Sequence, residues 1–146
     1  VPEGATRIPL GVSRVVRTGK DLTIVATGIM VKKSLEVAEQ LASEGIQVTV
    51  IDPRTISPLD ITSTLDSVES TGRLMVVQEG PSHGGFINEV IAQVAGSRAF
   101  GSLKAPIKKV AGLNIPIPYA PQLERAAVPQ VEDIHAAATE IVKSWR

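Results

Sequence analysis

The sequence contains no cysteine, which rules out disulfides, a thiolate nucleophile and a Cys-ligated zinc site. Aromatic residues are nearly missing, with one Trp, one Tyr and two Phe. The fifteen basic and fifteen acidic side chains cancel. Without a basic stripe or an aromatic platform, nucleic-acid binding has no support. No apolar run reaches the ~18 residues needed to span a bilayer, because Lys and Asp interrupt each candidate. The opening Val1-Pro2-Glu3-Gly4 lacks the basic and apolar regions of a signal peptide. It also lacks an initiator methionine, so the chain reads as a fragment or processed product. No G-x-G-x-x-G follows the first core strand, where Gly28 stands alone, and there is no Walker A motif. Ser13, Ser57 and Ser82 lack the G-x-S-x-G context of a nucleophile elbow.

What is present is an α/β pattern. Leu22–Ala26, Val48–Ile51 and Leu74–Val77 are continuous apolar runs bounded by turn residues, the signature of strands buried on both faces. Helix-period segments alternate with them. Val31, Leu35, Ala38 and Leu41/Ala42 make one apolar face, with Lys32, Lys33, Glu36, Glu39 and Glu44 toward water and Gly45 at the C-terminal cap. Ser57 is expected to cap a helix with Pro58 in its first turn and Ile61, Leu65 and Val68 buried. A third helix follows Gly84-Gly85, and the last runs from Gln130 to Trp145, with Trp145 on its buried side. Ser13–Arg17 and Pro106–Val110, both rich in charge, read as edge strands. The Pro-rich stretch 115–121 reads as extended coil leading to the last helix. The connector Thr18–Asp21 is too short for a parallel crossover, which makes the first strand antiparallel and places it beside the second as a hairpin. The whole reads as one α/β domain with helices on both faces of a mostly parallel sheet.

Ligands of open α/β sheets bind beyond the carboxyl ends of the strands. There the sequence offers Thr27-Gly28-Ile29-Met30 and Glu79-Gly80-Pro81-Ser82-His83-Gly84-Gly85. The second loop holds a carboxylate, an imidazole and a Gly-Gly pair opening a helix, whose amides can hold an anion. Tight geometry and close packing explain the Gly-Gly pair better. His135 is read as a solvated flank residue, and Glu132-Asp133 as carboxylates at the positive end of the last helix. In Asp52–Asp60, Arg54 pairs with either Asp52 or Asp60 to fix the loop. None of this names a reaction.

The same segments carry a resemblance. Ile8–Gly11, Gly19–Val25, Ile51–Asp60, Thr71–Leu74 with Glu79, Gly84-Gly85-Phe86 with Glu89, Ala105–Ile107, Pro118–Pro121 and Val128–Ile134 together resemble the C-terminal part of 2-oxoacid dehydrogenase beta subunits. The pyruvate and acetoin branches are closest, because of Pro118-Tyr119-Ala120-Pro121; the branched-chain branch is a further member. The resemblance implies a transketolase C-terminal-like, three-layer α/β/α sandwich over residues 1–146. Its five-stranded sheet has order 1-3-2-4-5 with strand 1 antiparallel, which overrules the hairpin.

It further implies a whole enzyme that decarboxylates a 2-oxoacid on thiamine diphosphate and Mg and acylates lipoyl groups. The cofactor-activating glutamate and the acyl-transfer histidine would lie in a preceding domain, so this domain holds no cofactor and is inactive alone. The implied partners are a second beta subunit and alpha subunits in an alpha2beta2 heterotetramer, and the dihydrolipoyl acyltransferase core. The implied location is the cytoplasm in a bacterium or the mitochondrial matrix in a eukaryote. Gly28, Arg54, Glu79, His83, Gly84, Gly85 and Phe86 form the expected interface or ligand-side loops. Lys104 and Arg146 mark the expected docking region for the acyltransferase, although Lys104 stands where the family often carries an acid. The rival readings are a standalone small-anion or regulatory module, and a transketolase or deoxyxylulose-phosphate synthase C-terminal domain.

Overall fold

Five strands and five α-helices organise the described residues. The computed structural model describes residues 9–145; Val1–Gly4, Ile8 and Arg146 of the sequence reading lie outside them. The strands are β1 (Arg14–Arg17), β2 (Leu22–Ala26), β3 (Val48–Asp52), β4 (Leu74–Pro81) and β5 (Lys108–Gly112). The helices are α1 (Ile29–Ser43), α2 (Thr62–Thr71), α3 (Phe86–Ala95), α4 (Pro121–Ala127) and α5 (Val131–Lys143). Sheet order is β1-β3-β2-β4-β5, with β1 antiparallel to β3 and the other neighbours parallel.

Alternation along β2 builds the three layers. Leu22, Ile24 and Ala26 face a core with Met30, Val37 and Leu41 of α1 and Ile134, Ala138 and Ile141 of α5. Val25 faces the opposite core, with Val68 of α2 and Ile87, Val90 and Val94 of α3. Both sides of β2 are fully buried, so its continuous apolar run is required rather than incidental. α1 ends as the sequence reads. Gly45 adopts φ +82, its N–H donates to the Ala42 carbonyl and the Ile46 N–H to the Leu41 carbonyl, the paired bonds of a Schellman cap.

The hairpin expected from the short Thr18–Asp21 connector does not form, because the connector runs across the start of β3. The Asp21 N–H donates to the Gln47 carbonyl, and the Gly19 N–H donates to Thr49 Oγ1. A Cβ on Gly19 would lie 2.4 Å from the Gln47 carbonyl carbon, so only glycine permits the crossing.

Other departures share a tertiary cause. α2 begins at Thr62 rather than at Pro58. The Asp60 carboxylate accepts from the Ser13 N–H (3.0 Å), Ser63 Oγ (2.7 Å) and the Ser63 N–H (3.3 Å). Asp60 therefore caps α2 while tying down the approach to β1. Ser57 is bypassed because Thr55 Oγ1 donates to the Pro58 carbonyl and accepts from the Gly11 N–H, holding the segment in a turn. The Pro-rich stretch leads into α4, with Pro121 in its first turn, before α5 is reached. A 3-10 helix, Arg98–Ser102, was also not anticipated. α5 stops at Lys143, and Trp145 is half-exposed beyond it, its carbonyl accepting from Arg73 Nη2 at 2.6 Å.

Candidate functional site

The loops at the carboxyl ends of β2, β3 and β4 meet where the strand order reverses. Gly28 opens α1 with φ +57, and Arg54 follows β3 with φ +62, a left-handed conformation uncommon for a residue with a side chain. Asp52 fixes that turn: Oδ1 accepts from the Arg54 N–H at 3.0 Å, and Oδ2 lies 3.8 Å from Arg54 Nε. Asp60 is engaged with Ser13 and Ser63, so the choice left open for Arg54 resolves to Asp52. Thr27, Gly28, Arg54, Thr55, Ile56 and Phe86, together with Asp52 and Pro53, line a crevice of about 210 Å³. This is smaller than the ~300–1,000 Å³ of sites that take drug-sized ligands. Glu79 stands at its edge, with Oε2 3.8 Å from where a Cβ on Gly28 would sit.

The Gly-Gly loop is held differently from its sequence reading. Its first residues, Glu79, Gly80 and Pro81, continue β4 rather than forming loop. The organiser is Gln78, a buried amide that the sequence reading passed over. Gln78 Nε2 donates to the Pro81 carbonyl at 2.7 Å and the Gly80 carbonyl at 3.3 Å, while Oε1 accepts from the Ile87 N–H at 3.3 Å. Its amide lies 1.9 Å from where a Cβ on Gly85 would be. Gly85 is therefore a close-approach glycine, and the Ile87 N–H, one of the amides an anion would use at the start of α3, is already taken.

His83 does not join the crevice. Its N–H donates to Asn114 Oδ1 at 2.9 Å, and the neighbouring Ser82 carbonyl accepts from Lys109 Nζ and Asn88 Nδ2. This clasp ties the loop to the end of β5 and leaves the imidazole exposed. The structure thus brings Gly28, Arg54 and Phe86 together, with Glu79 beside them. Gly84, Gly85 and Phe86 border an adjoining hollow that also includes Ile56, and His83 stands apart.

Lys104 belongs to the opposite end of the sheet. It is exposed, its N–H donates to the Gly72 carbonyl at 2.8 Å, and its stem covers Gly72 just before β4. His135 stays partly exposed on its flank, and its Nε2 lies 2.9 Å from Glu44 Oε1 where α5 packs along α1. Hydrogen bonds from Lys143 and then His135 hold the Glu44 carboxyl below its usual range. Lys33 also reaches across this seam, donating to the Pro129 carbonyl at 2.7 Å. No group of three or more metal-ligating side chains is gathered among the described residues. No helix among them is long and apolar enough to cross a membrane.

A family model described as the C-terminal domain of transketolase matches residues 11–134. The chain belongs to the transketolase C-terminal domain family. It is 47% identical over 146 residues to the beta subunit of acetoin:2,6-dichlorophenolindophenol oxidoreductase of Cupriavidus necator, covering 100% of this chain and 43% of that one. It is 44% identical over 131 residues to a mitochondrial pyruvate dehydrogenase E1 beta-1 subunit of Arabidopsis thaliana, covering 90% and 36% of the two chains. Among solved structures, a split-gene transketolase described as an inactive beta4 tetramer aligns with TM-score 0.82 and 30% identity, over 100% of this chain and 48% of that one. The chain spans less than half the length of these relatives. The resemblance to beta subunits and the sheet order it implied both hold for this domain.

Proposed function

We propose that this domain is the non-catalytic assembly module of a beta subunit in a thiamine-diphosphate-dependent 2-oxoacid dehydrogenase of the pyruvate or acetoin type. The observation that carries the reading is the 47% identity to an acetoin-enzyme beta subunit along the entire chain. The geometry supports its catalytic silence. The loop with the imidazole and the Gly-Gly pair is closed by Gln78, and His83 is tied away from the crevice. In this reading residues 1–146 are one domain of a longer subunit. The groups that hold thiamine diphosphate and Mg belong to an upstream domain, and lipoyl acylation belongs to the whole enzyme. Its partners are a second beta subunit, alpha subunits in an alpha2beta2 assembly, and the dihydrolipoyl acyltransferase core. The crevice rim at Gly28, Arg54, Glu79 and Phe86 serves as interface, and Lys104 with Arg146 marks the acyltransferase side. A bacterial parent would work in the cytoplasm and a eukaryotic one in the mitochondrial matrix.

Calorimetric titration of the chain with thiamine diphosphate and Mg is expected to show no heat of binding. Micromolar binding would overturn the assignment of the cofactor groups to another domain. The second reading, a transketolase-type domain, draws support from the TM-score of 0.82 to the split-gene transketolase. The 30% identity there against 47% with the acetoin subunit favours the dehydrogenase. The small-anion reading is disfavoured because Gln78 occupies the Ile87 N–H at the start of α3.

A further inference from the structure

The crevice at the ends of β2 and β3 holds a cation that the chain leaves without an acceptor. The Arg54 side chain is only 26% exposed, yet its guanidinium donates no hydrogen bond among the described residues. Its near neighbour, Asp52 Oδ2, stands 3.8 Å from Nε, beyond hydrogen-bond reach. A guanidinium carries five N–H donors, and a largely buried one with no acceptor requires an explanation. Arg54 is also held at φ +62, with its backbone N–H on Asp52 Oδ1, a strained conformation of the kind that marks ligand clamps. A complementary charge is close by. Glu79 is exposed, its carboxylate makes no hydrogen bond or ion pair among the described residues, and it stands beside Gly28, which lines the crevice. Phe86 and Ile56 add an apolar lining.

We infer that this crevice binds a small zwitterionic α-amino acid, with its carboxylate on the Arg54 guanidinium, its ammonium on Glu79 and its short apolar side chain against Phe86 and Ile56. Charge selects the zwitterion. Asp52 balances Arg54, and Glu79 leaves the site one negative charge, so a bare carboxylate is repelled and a bare amine leaves the guanidinium unmet. A ligand with both charges answers both groups, and the planar guanidinium fork matches a carboxylate. Volume selects a small ligand. About 210 Å³ holds about seven waters at ~30 Å³ each, which corresponds to about six to eight non-hydrogen atoms, the range from alanine to valine. The Ile87 amide that Gln78 closes takes no part. The inference goes beyond the assembly reading and its binding step does not rest on it, since a partner at the rim would cover a seated ligand rather than replace it. On that reading the site gains a regulatory sense, because α-amino acids are the amination products of 2-oxoacids.

Amide NMR titration of the 146-residue chain with L-alanine at neutral pH tests this. Saturable shifts are expected at Thr27, Gly28, Thr55 and Phe86, with a dissociation constant of about 1 mM, since so small a ligand offers few contacts. Arg54→Gln and Glu79→Gln should each weaken binding by about tenfold or more, the effect of losing a charge-assisted partner. Thermal melts of both variants separate lost binding from lost fold. Two further ligands need no variant. Pyruvate has the carboxylate without the ammonium and ethylamine the ammonium without the carboxylate, and each should bind about tenfold more weakly than alanine. The absence of saturable shifts up to the solubility of alanine overturns the proposal, as does binding that neither folded variant weakens. Pyruvate or ethylamine binding as tightly as alanine overturns the zwitterion as the ligand. None of these outcomes bears on the assembly reading, which the thiamine diphosphate titration tests separately.

Discussion

Replacing Gly85 by alanine puts a methyl group where the Gln78 amide now lies. The Gly85 backbone has φ −74 and ψ 155, an extended conformation that alanine adopts without strain, so the backbone itself imposes no penalty. The new Cβ would instead sit 1.9 Å from Nε2 and 2.7 Å from the amide carbon of Gln78. That side chain is only 6% exposed and has no space into which it can swing without giving up its bonds to Gly80, Pro81 and Ile87. Each such bond contributes about 0.5–1.5 kcal/mol, and each buried group left unpaired costs about 1–3 kcal/mol. Gly85→Ala should therefore destabilise by about 2–4 kcal/mol. Gln78→Ala should cost about 2–3 kcal/mol by the same reasoning. The double variant removes the collision along with the amide, so the two losses should fall short of their sum by about the whole Gly85→Ala loss, roughly 2–4 kcal/mol. Urea unfolding of the four proteins measures all three quantities. Gly85→Ala within about 0.5 kcal/mol of the parent, or losses that simply add, would refute the account of Gln78 as the group that shapes this loop.

Asp60→Ala should destabilise by about 1–2 kcal/mol, the usual cost of a lost cap, and raise amide exchange in both β1 and the first turn of α2. Partial burial pushes the Asp60 carboxyl up, but hydrogen bonds from Ser63 and Ser13 outweigh it and hold the group below its usual value of 3.8. Its stabilising contribution is thus complete above that value and is lost as pH falls through the lowered folded value, a loss that acid titration of Asp60→Ala should lack. Ser34 is buried in α1 and its hydroxyl has no hydrogen-bond partner, so Ser34→Ala should stabilise by about 1 kcal/mol, read as a higher urea midpoint. Gly19→Ala forces a Cβ against backbone rather than against a movable side chain and should cost ~3 kcal/mol or prevent accumulation of folded protein. A Gly19→Ala protein as stable as the parent would contradict the crossing of the connector over β3.

The buried strands could be read from the sequence because Leu22–Ala26 and Leu74–Val77 have no polar face, and only a doubly covered sheet accepts such runs. α1 could be read to its last turn, since Gly45 and Ile46 supply the cap and its apolar contact. What could not be read depended on groups distant in sequence. The start of α2 is set by Ser13, 47 residues before the Asp60 it binds. The displacement of β1 from β2 depends on Gly19 passing over Gln47, and spacing alone had favoured the hairpin; the family resemblance supplied the order. α4 is too short to show a periodic face. At the candidate site, Gly85 packs closely against Gln78, a partner that the sequence reading overlooked, while a Cβ on Gly84 would meet nothing within 4 Å. The available signal was a single amide, Gln78, ending an otherwise apolar run six residues before the Gly84-Gly85 pair.

The placement of β3 between β1 and β2 has a consequence for the order of assembly. β1 precedes the other strands of the described residues, yet its partner among them, β3, lies beyond β2 and all of α1. On the ribosome, and in any refolding pathway, β1 has no ladder to join until the β2–α1–β3 crossover has closed. β1 is therefore synthesised before its partner yet is seated only after the crossover has closed, and until then Val15 and Val16 remain an open strand between two arginines. Arg14 and Arg17 give that waiting segment charges that discourage pairing with a neighbouring chain.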